Sequence, residues 1–172
     1  LDYLRLLVAS YPESANIHKG YFVLAQTYTA LERYLEAADA YNLYLGRRPG
    51  VLDTFVQHRR GDALSNGGES LAAIDAYQAA IAAGSGSDLY TLQLKIGQEY
   101  AALKDYNTAI VIFEDVYIQT ANDYTKARAD YLLGKAYLEL DQTDKAEAAF
   151  RDAVVQYPRS YDSYLALIEM LN

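Results

Sequence analysis

The 172-residue sequence has no cysteine and no tryptophan, one methionine, two histidines and three prolines. Without cysteine there is no disulfide framework, no thiolate metal site and no cysteine nucleophile. The two histidines, His18 and His58, have no spacing that joins them into a metal pair. Apolar runs are only a few residues long, too short to span a membrane. No basic stretch leads into an apolar run with a small-residue cleavage site, so no signal peptide is read here. Both ends read as cut from something longer, and no compartment is legible. A G-x-S-x-G elbow and a phosphate-binding loop are missing; Gly84-Ser85-Gly86-Ser87 lacks the lysine that would follow and reads as a flexible connection. Acidic neighbours such as Glu114-Asp115 point to different faces of a helix and form no close carboxylate pair. No catalytic residue, metal ligand or cofactor is therefore expected. Fifteen basic against twenty-three acidic residues give a net charge of −8, which argues against nucleic acid as the main partner.

What the chain does have is 52% apolar residues, enough to bury a core, and eighteen tyrosines against four phenylalanines. It also repeats itself. A large residue, a small one, then tyrosine or leucine three further on occurs as Leu24-Ala25 with Tyr28, Arg60-Gly61 with Leu64, Ile96-Gly97 with Tyr100, and Leu133-Gly134 with Tyr137. Twelve residues after each small residue comes alanine (Ala37, Ala73, Ala109, Ala146), and four later an aromatic: Tyr41, Tyr77, Phe113 or Phe150. The small residues are spaced by 36, 36 and 37. A period of that length marks an array of stacked units.

Each unit carries two apolar stripes at helical spacing around a short polar turn, the pattern of a helix–turn–helix. Gly67 and Gly68 suit the positive φ that ends a first helix. Asp105 and Asp141 are expected to cap second helices, and Asp53, Asp88 and Asp123 to cap first helices. A glycine or alanine facing a neighbouring helix lets two backbones approach, and the aromatic fills the adjacent hole. One hairpin cannot bury its own apolar face, so the units must stack. The chain reads as one solenoid over 1–172, with whole units at 18–51, 54–87, 90–123 and 127–160. Tyr157-Pro158-Arg159-Ser160 echoes Tyr11-Pro12-Glu13-Ser14, which makes 1–14 the tail of a preceding unit and 161–172 a first helix. About ten antiparallel helices follow, in an all-α class.

These residue types and spacings resemble the tetratricopeptide repeat family. Pro49 and Pro158 stand where that family often has proline, whereas Ser85 and Ala121 depart from it, and Tyr21, Gln57, Gln93 and Asp130 replace its tryptophan. The resemblance implies an alpha-alpha superhelix with a concave groove lined by first helices, holding a protein or peptide segment. It places in that groove Lys19, Phe22, Gln26, Phe55, His58, Asp62, Thr91, Leu94, Gln98, Arg128, Tyr131 and Lys135. Members that clamp a C-terminal carboxylate use lysine and asparagine where Phe22 and Gln26 stand, so that specialisation is not implied.

A basic cluster of Arg47, Arg48, His58, Arg59 and Arg60 reads first as favourable helix termination, with Asp53 and Asp62 offsetting the rest, and second as an anion or acidic-ligand site near the second unit. Arg60 replaces the apolar Leu24, Ile96 and Leu133, and either snorkels over the core or pairs with a carboxylate. The tyrosines suit packing positions whose polar tips reach water, with Tyr131 a candidate for stacking on a sugar or peptide. The expected function is a noncatalytic scaffold binding a protein segment, or a domain of its own parent chain. The alternative is an accessory arm guiding peptidoglycan. Arg60-Gly61-Asp62-Ala63-Leu64, Ala73-Ile74-Asp75-Ala76-Tyr77 and Tyr157-Pro158-Arg159-Ser160-Tyr161 look like the helical region of bacterial soluble lytic transglycosylases. End-to-end self-association is a third expectation, since terminal helices of a solenoid lack caps.

Overall fold

The computed structural model describes residues 1–50, 52–84 and 89–171. Among them are ten α-helices and no strand: α1 (Asp2–Ser10), α2 (Ile17–Ala30), α3 (Tyr34–Arg47), α4 (Asp53–Asn66), α5 (Ser70–Ala82), α6 (Leu89–Ala102), α7 (Tyr106–Gln119), α8 (Asp123–Glu139), α9 (Thr143–Gln156) and α10 (Tyr161–Leu171). The chain divides into two compact units, Leu1–Gly86 and Ser87–Asn172. In unit 1, α2 pairs with α3 and α4 with α5, α3 packs on α4, and α1 rests on α2. In unit 2, α6 pairs with α7 and α8 with α9, while α10 packs on both α8 and α9.

The expected notches and plugs meet within each hairpin. Gly61, Gly97 and Gly134 press so closely on Tyr77, Phe113 and Phe150 that an added Cβ would lie 2.3–2.4 Å from a ring carbon. In the first hairpin Ala25 takes the notch, fully buried, with Tyr41 also in the core. Ala37, Ala73, Ala109 and Ala146 are fully buried on the facing helix, where anything larger would push the pair apart.

The turn within each hairpin follows one recipe. The amides of Arg33, Glu69, Asp105 and Gln142 each donate back across the turn at 2.9 Å, to the carbonyls of Tyr28, Leu64, Tyr100 and Tyr137. The residue before each donor is left-handed: Glu32, Gly68, Lys104 and Asp141, with φ of 57°, 81°, 63° and 57°. This is a Schellman closure, which needs one positive φ per helix end. Only Gly68 takes it without the Cβ penalty; the other three accept a cost of roughly 1 kcal/mol each. Gly67, also expected to use a positive φ, lies at −81°.

The capping expectations divide. Asp105 caps α7, accepting from Thr108 N at 3.2 Å and from its hydroxyl at 2.7 Å. Asp141 does not cap: it fills the left-handed turn, and Gln142 at the N-cap makes no side-chain bond. Asp53 and Asp123 each sit one residue inside their helices, where the dipole still favours a carboxylate. The cap of α8 is Asn122, which accepts from Thr125 N at 3.0 Å, and Asp88 lies outside the described residues, as does the connection at 85–87. Asp105→Ala should therefore cost about 1 kcal/mol in urea unfolding, and Gln142→Ala next to nothing.

Tyrosine outnumbers phenylalanine because many rings pack while their hydroxyls reach an acceptor. Tyr77 donates to Asp62 (3.1 Å), Tyr90 to the Gln119 carbonyl (3.1 Å) and Tyr137 to Glu114 (3.0 Å). Phenylalanine would fill those holes but leave the acceptors unmatched.

Candidate functional site

The residues expected to line a groove are distributed differently in the two units. In unit 1 the half-buried Phe22 ring lies 5.6 Å from Tyr44, 6.1 Å from Tyr41 and 6.3 Å from the exposed Phe55. Beside this aromatic cluster is a cavity of about 330 Å³ walled by Gln26, Tyr41, Phe55, Arg59, Asp62 and Asn66, among others. Arg59 lays its guanidinium over the Phe55 ring, 5.3 Å from the centroid, and lies 4.0 Å from Asp62. Asp62 also accepts from Tyr77 and lies 3.6 Å from His58, so this carboxylate is surrounded by partners. Burial raises the Tyr41 phenol above its ordinary value, keeping it neutral. Lys19 is exposed and is not among the cavity walls.

In unit 2 the corresponding cavity, about 370 Å³, is walled by Gln98, Tyr106, Phe113, Tyr131, Lys135 and Glu139 with small and apolar neighbours. Tyr106 donates its hydroxyl to Glu139 at 3.0 Å, and that bond raises the phenol's pKa. Lys135 reaches the other way, to Glu169 of α10 at 2.9 Å, and the same contact raises its own pKa. Arg128 makes a parallel contact with Asp162 at 3.7 Å. Burial nonetheless raises the Asp162 carboxyl, against the pull of Arg128. Thr91, Leu94 and Arg128 border a second cavity of about 420 Å³. Leu94 itself is a core residue, 2% exposed, packed with Phe113 and Leu133. Its side chain belongs to the apolar interior, because its position also faces the next hairpin.

Set against the glycine or alanine notch, the cavities of unit 1 and unit 2 are built in one register. Gln26 and Gln98 follow the notch by one, and Tyr41 and Phe113 by sixteen, while on the next helix Asp62 and Lys135 follow by one and Asn66 and Glu139 by five. The expectations included Gln26, Gln98, Asp62 and Lys135 but omitted Arg59, Asn66, Tyr106 and Glu139. The five-after position was open to the same counting. Tyr106 was not, because it starts a second helix and only the hairpin brings it to the first-helix face.

Among the described residues no group of three or more His, Asp or Glu could hold a metal ion, and no helix is long and apolar enough to cross a membrane. Arg60, half-buried, turns its guanidinium to Gln57 Oε1 at 3.4 Å, which is snorkelling to an amide and not pairing with a carboxylate. Arg47 ends α3 and Arg48 caps it, the latter 3.2 Å from the buried His18 ring, as favourable helix termination requires.

Two family models, both described as tetratricopeptide repeat, match residues 18–50 and 100–171, together more than half of the chain. Comparison with curated proteins gives no match. Solved structures share the fold. MamA (residues 41 to end) from Desulfovibrio magneticus RS-1 is 21% identical with a TM-score of 0.66, covering 90% of this chain and 91% of that one. BtubC from P. vanneervenii is 18% identical with a TM-score of 0.66, covering 87% and 68%. YrrB, described as a TPR protein with an unusual peptide-binding site, is 16% identical with a TM-score of 0.59, covering 98% and 84%.

Proposed function

The chain belongs to the tetratricopeptide repeat family, and from that premise we propose that it is a noncatalytic scaffold holding an extended segment of another protein, or of its own parent chain, on the face of its first helices. The observation that carries this reading is the recurrence of one cavity, in one register, in both units. Each has an aromatic wall, an amide at the same corner and a charged side chain opposite. Packing alone explains the notch and plug, but it does not require glutamine and a charge at a solvent-facing corner. Such a mixture suits a ligand that offers backbone hydrogen bonds together with side chains of moderate polarity. The peptide-binding description of YrrB points the same way. Nothing in the fold or the comparisons favours peptidoglycan over a peptide ligand.

The test is capture of partners from a lysate by the intact chain and by the variants Phe55→Ala and Lys135→Glu, with bound proteins identified by mass spectrometry. Phe55 is 43% exposed and Lys135 half-buried, so neither change should unfold the chain. Loss of specific partners from either variant supports the first-helix face. An identical partner set in both would move binding elsewhere.

A further inference from the structure

Resting on the peptide-holding reading, we infer that the unit 2 cavity between α6, α7 and α8 receives a cationic side chain of the bound segment, best an arginine, with Glu139 as its counter-charge. A volume of about 370 Å³ admits one large side chain and no folded element. The ordinary expectation for a cavity bordered by lysine would be an anion, yet Lys135 is turned to Glu169 at 2.9 Å. Two carboxylates, Glu139 and Glu169, thus stand against one ammonium at this corner, in a chain whose net charge is already −8.

Glu139 is exposed and is also held in place. Tyr106 donates to its Oε2 at 3.0 Å, and a carboxylate has capacity for several more donors. The planar fork of a guanidinium meets a carboxylate with two parallel bonds and lies flat on aromatic rings, which a lysine ammonium cannot reproduce. Tyr106 and Tyr131 border the same space, and Gln98 offers an amide oxygen.

The sister cavity in unit 1 supplies the internal comparison. There Arg59, two residues before the notch, places the chain's own guanidinium over Phe55 and within 4.0 Å of Asp62. In unit 2 the same position is Leu132, so no guanidinium comes from the chain itself, while Asn66 is replaced by Glu139. Unit 1 meets its own guanidinium with Asp62, one after the notch; in unit 2 that position is Lys135, turned to Glu169, and the carboxylate stands instead five after the notch as Glu139, with no guanidinium among the cavity walls.

The experiment titrates N-acetyl-arginine methylamide into the intact, isotope-labelled chain at low ionic strength, following amide proton–nitrogen spectra. The citrulline counterpart, equal in shape and uncharged, is the control. Saturable shifts are expected at Gln98, Tyr106 and Glu139, and not at Gln26. They should weaken roughly fivefold with citrulline or in Glu139→Gln, and fade as salt is added. Equal response to arginine and citrulline, an unchanged response in Glu139→Gln, or no shift at the cavity would each overturn the assignment. Those results would leave the peptide-holding reading intact, because partner capture by the Phe55 and Lys135 variants tests it separately.

Discussion

Gly134→Val is expected to destabilise unit 2 by about 3 kcal/mol or more. A Cβ at Gly134 would already lie 2.3 Å from Phe150 Cε1, with two further ring carbons within 2.7 Å. Phe150 is 2% exposed and cannot swing into solvent. Ala25 and Tyr41 hold the same two positions in the first hairpin and are both buried, so one methyl at the notch is compatible with that unit, but valine adds two carbons beyond that. The gain from removing glycine from a helix interior, a few tenths of a kcal/mol for valine, is far too small to compensate. A double-mutant cycle makes the argument specific. Phe150→Ala alone should cost about 3–5 kcal/mol by leaving a hole, and the double variant should lose much less than the sum, since the valine then occupies part of that hole. Additive losses in chemical denaturation would mean that notch and plug do not act as a pair.

Asp130→Asn should stabilise the chain at alkaline pH by about 2–4 kcal/mol and hardly at all near pH 4. Asp130 stands on α8 at 5% exposure, its Oδ2 has no hydrogen-bond partner, and burial with the nearby charge of Asp152 pushes its carboxyl up to about 7, Lys126 opposing weakly. Lys126 is shared with the Tyr117 ring, 5.2 Å from its ammonium, and Tyr117 in turn meets Tyr157 hydroxyl to hydroxyl at 3.2 Å. Burial and that contact raise the Tyr157 phenol, so it stays neutral and adds no charge of its own. The folded chain therefore retains a proton at Asp130 that the unfolded chain releases near pH 4. Its contribution is complete below that pH, declines as pH rises, and is lost once pH passes about 7. Asparagine keeps the shape and cannot ionise, so the difference in melting temperature between the two proteins should widen from pH 4 to pH 8. A difference that stays constant with pH would show that Asp130 is ionised in the fold throughout.

Much of this was open to reading along the chain. Gly61, Gly97 and Gly134, and Ala25 in the first unit, each with an aromatic sixteen residues later, locate the four hairpins, because helical neighbours are fixed by spacing and a small residue so regularly placed has few other uses. The cap at Asp105 was legible for the same local reason. The candidate site was legible in part: counting from the notch finds Gln26, Gln98, Asp62 and Lys135, but gives no sign that Lys135 is engaged by Glu169, thirty-four residues away.

Side-chain direction and partnership were decided by packing. Asp141 looks like a cap in sequence, yet the Schellman turn needed a left-handed residue at that point and the aspartate was the one standing there. Asp130 stands in sequence where the family has tryptophan, and only the folded chain shows its carboxyl buried beside the charge of Asp152, while Leu94 looks like a groove residue until Phe113 and Leu133 enclose it. Periodicity belongs to the backbone of one helix and can be read from the chain by itself. Burial and charge pairing depend on neighbours tens of residues distant, and only the assembled helices bring those together.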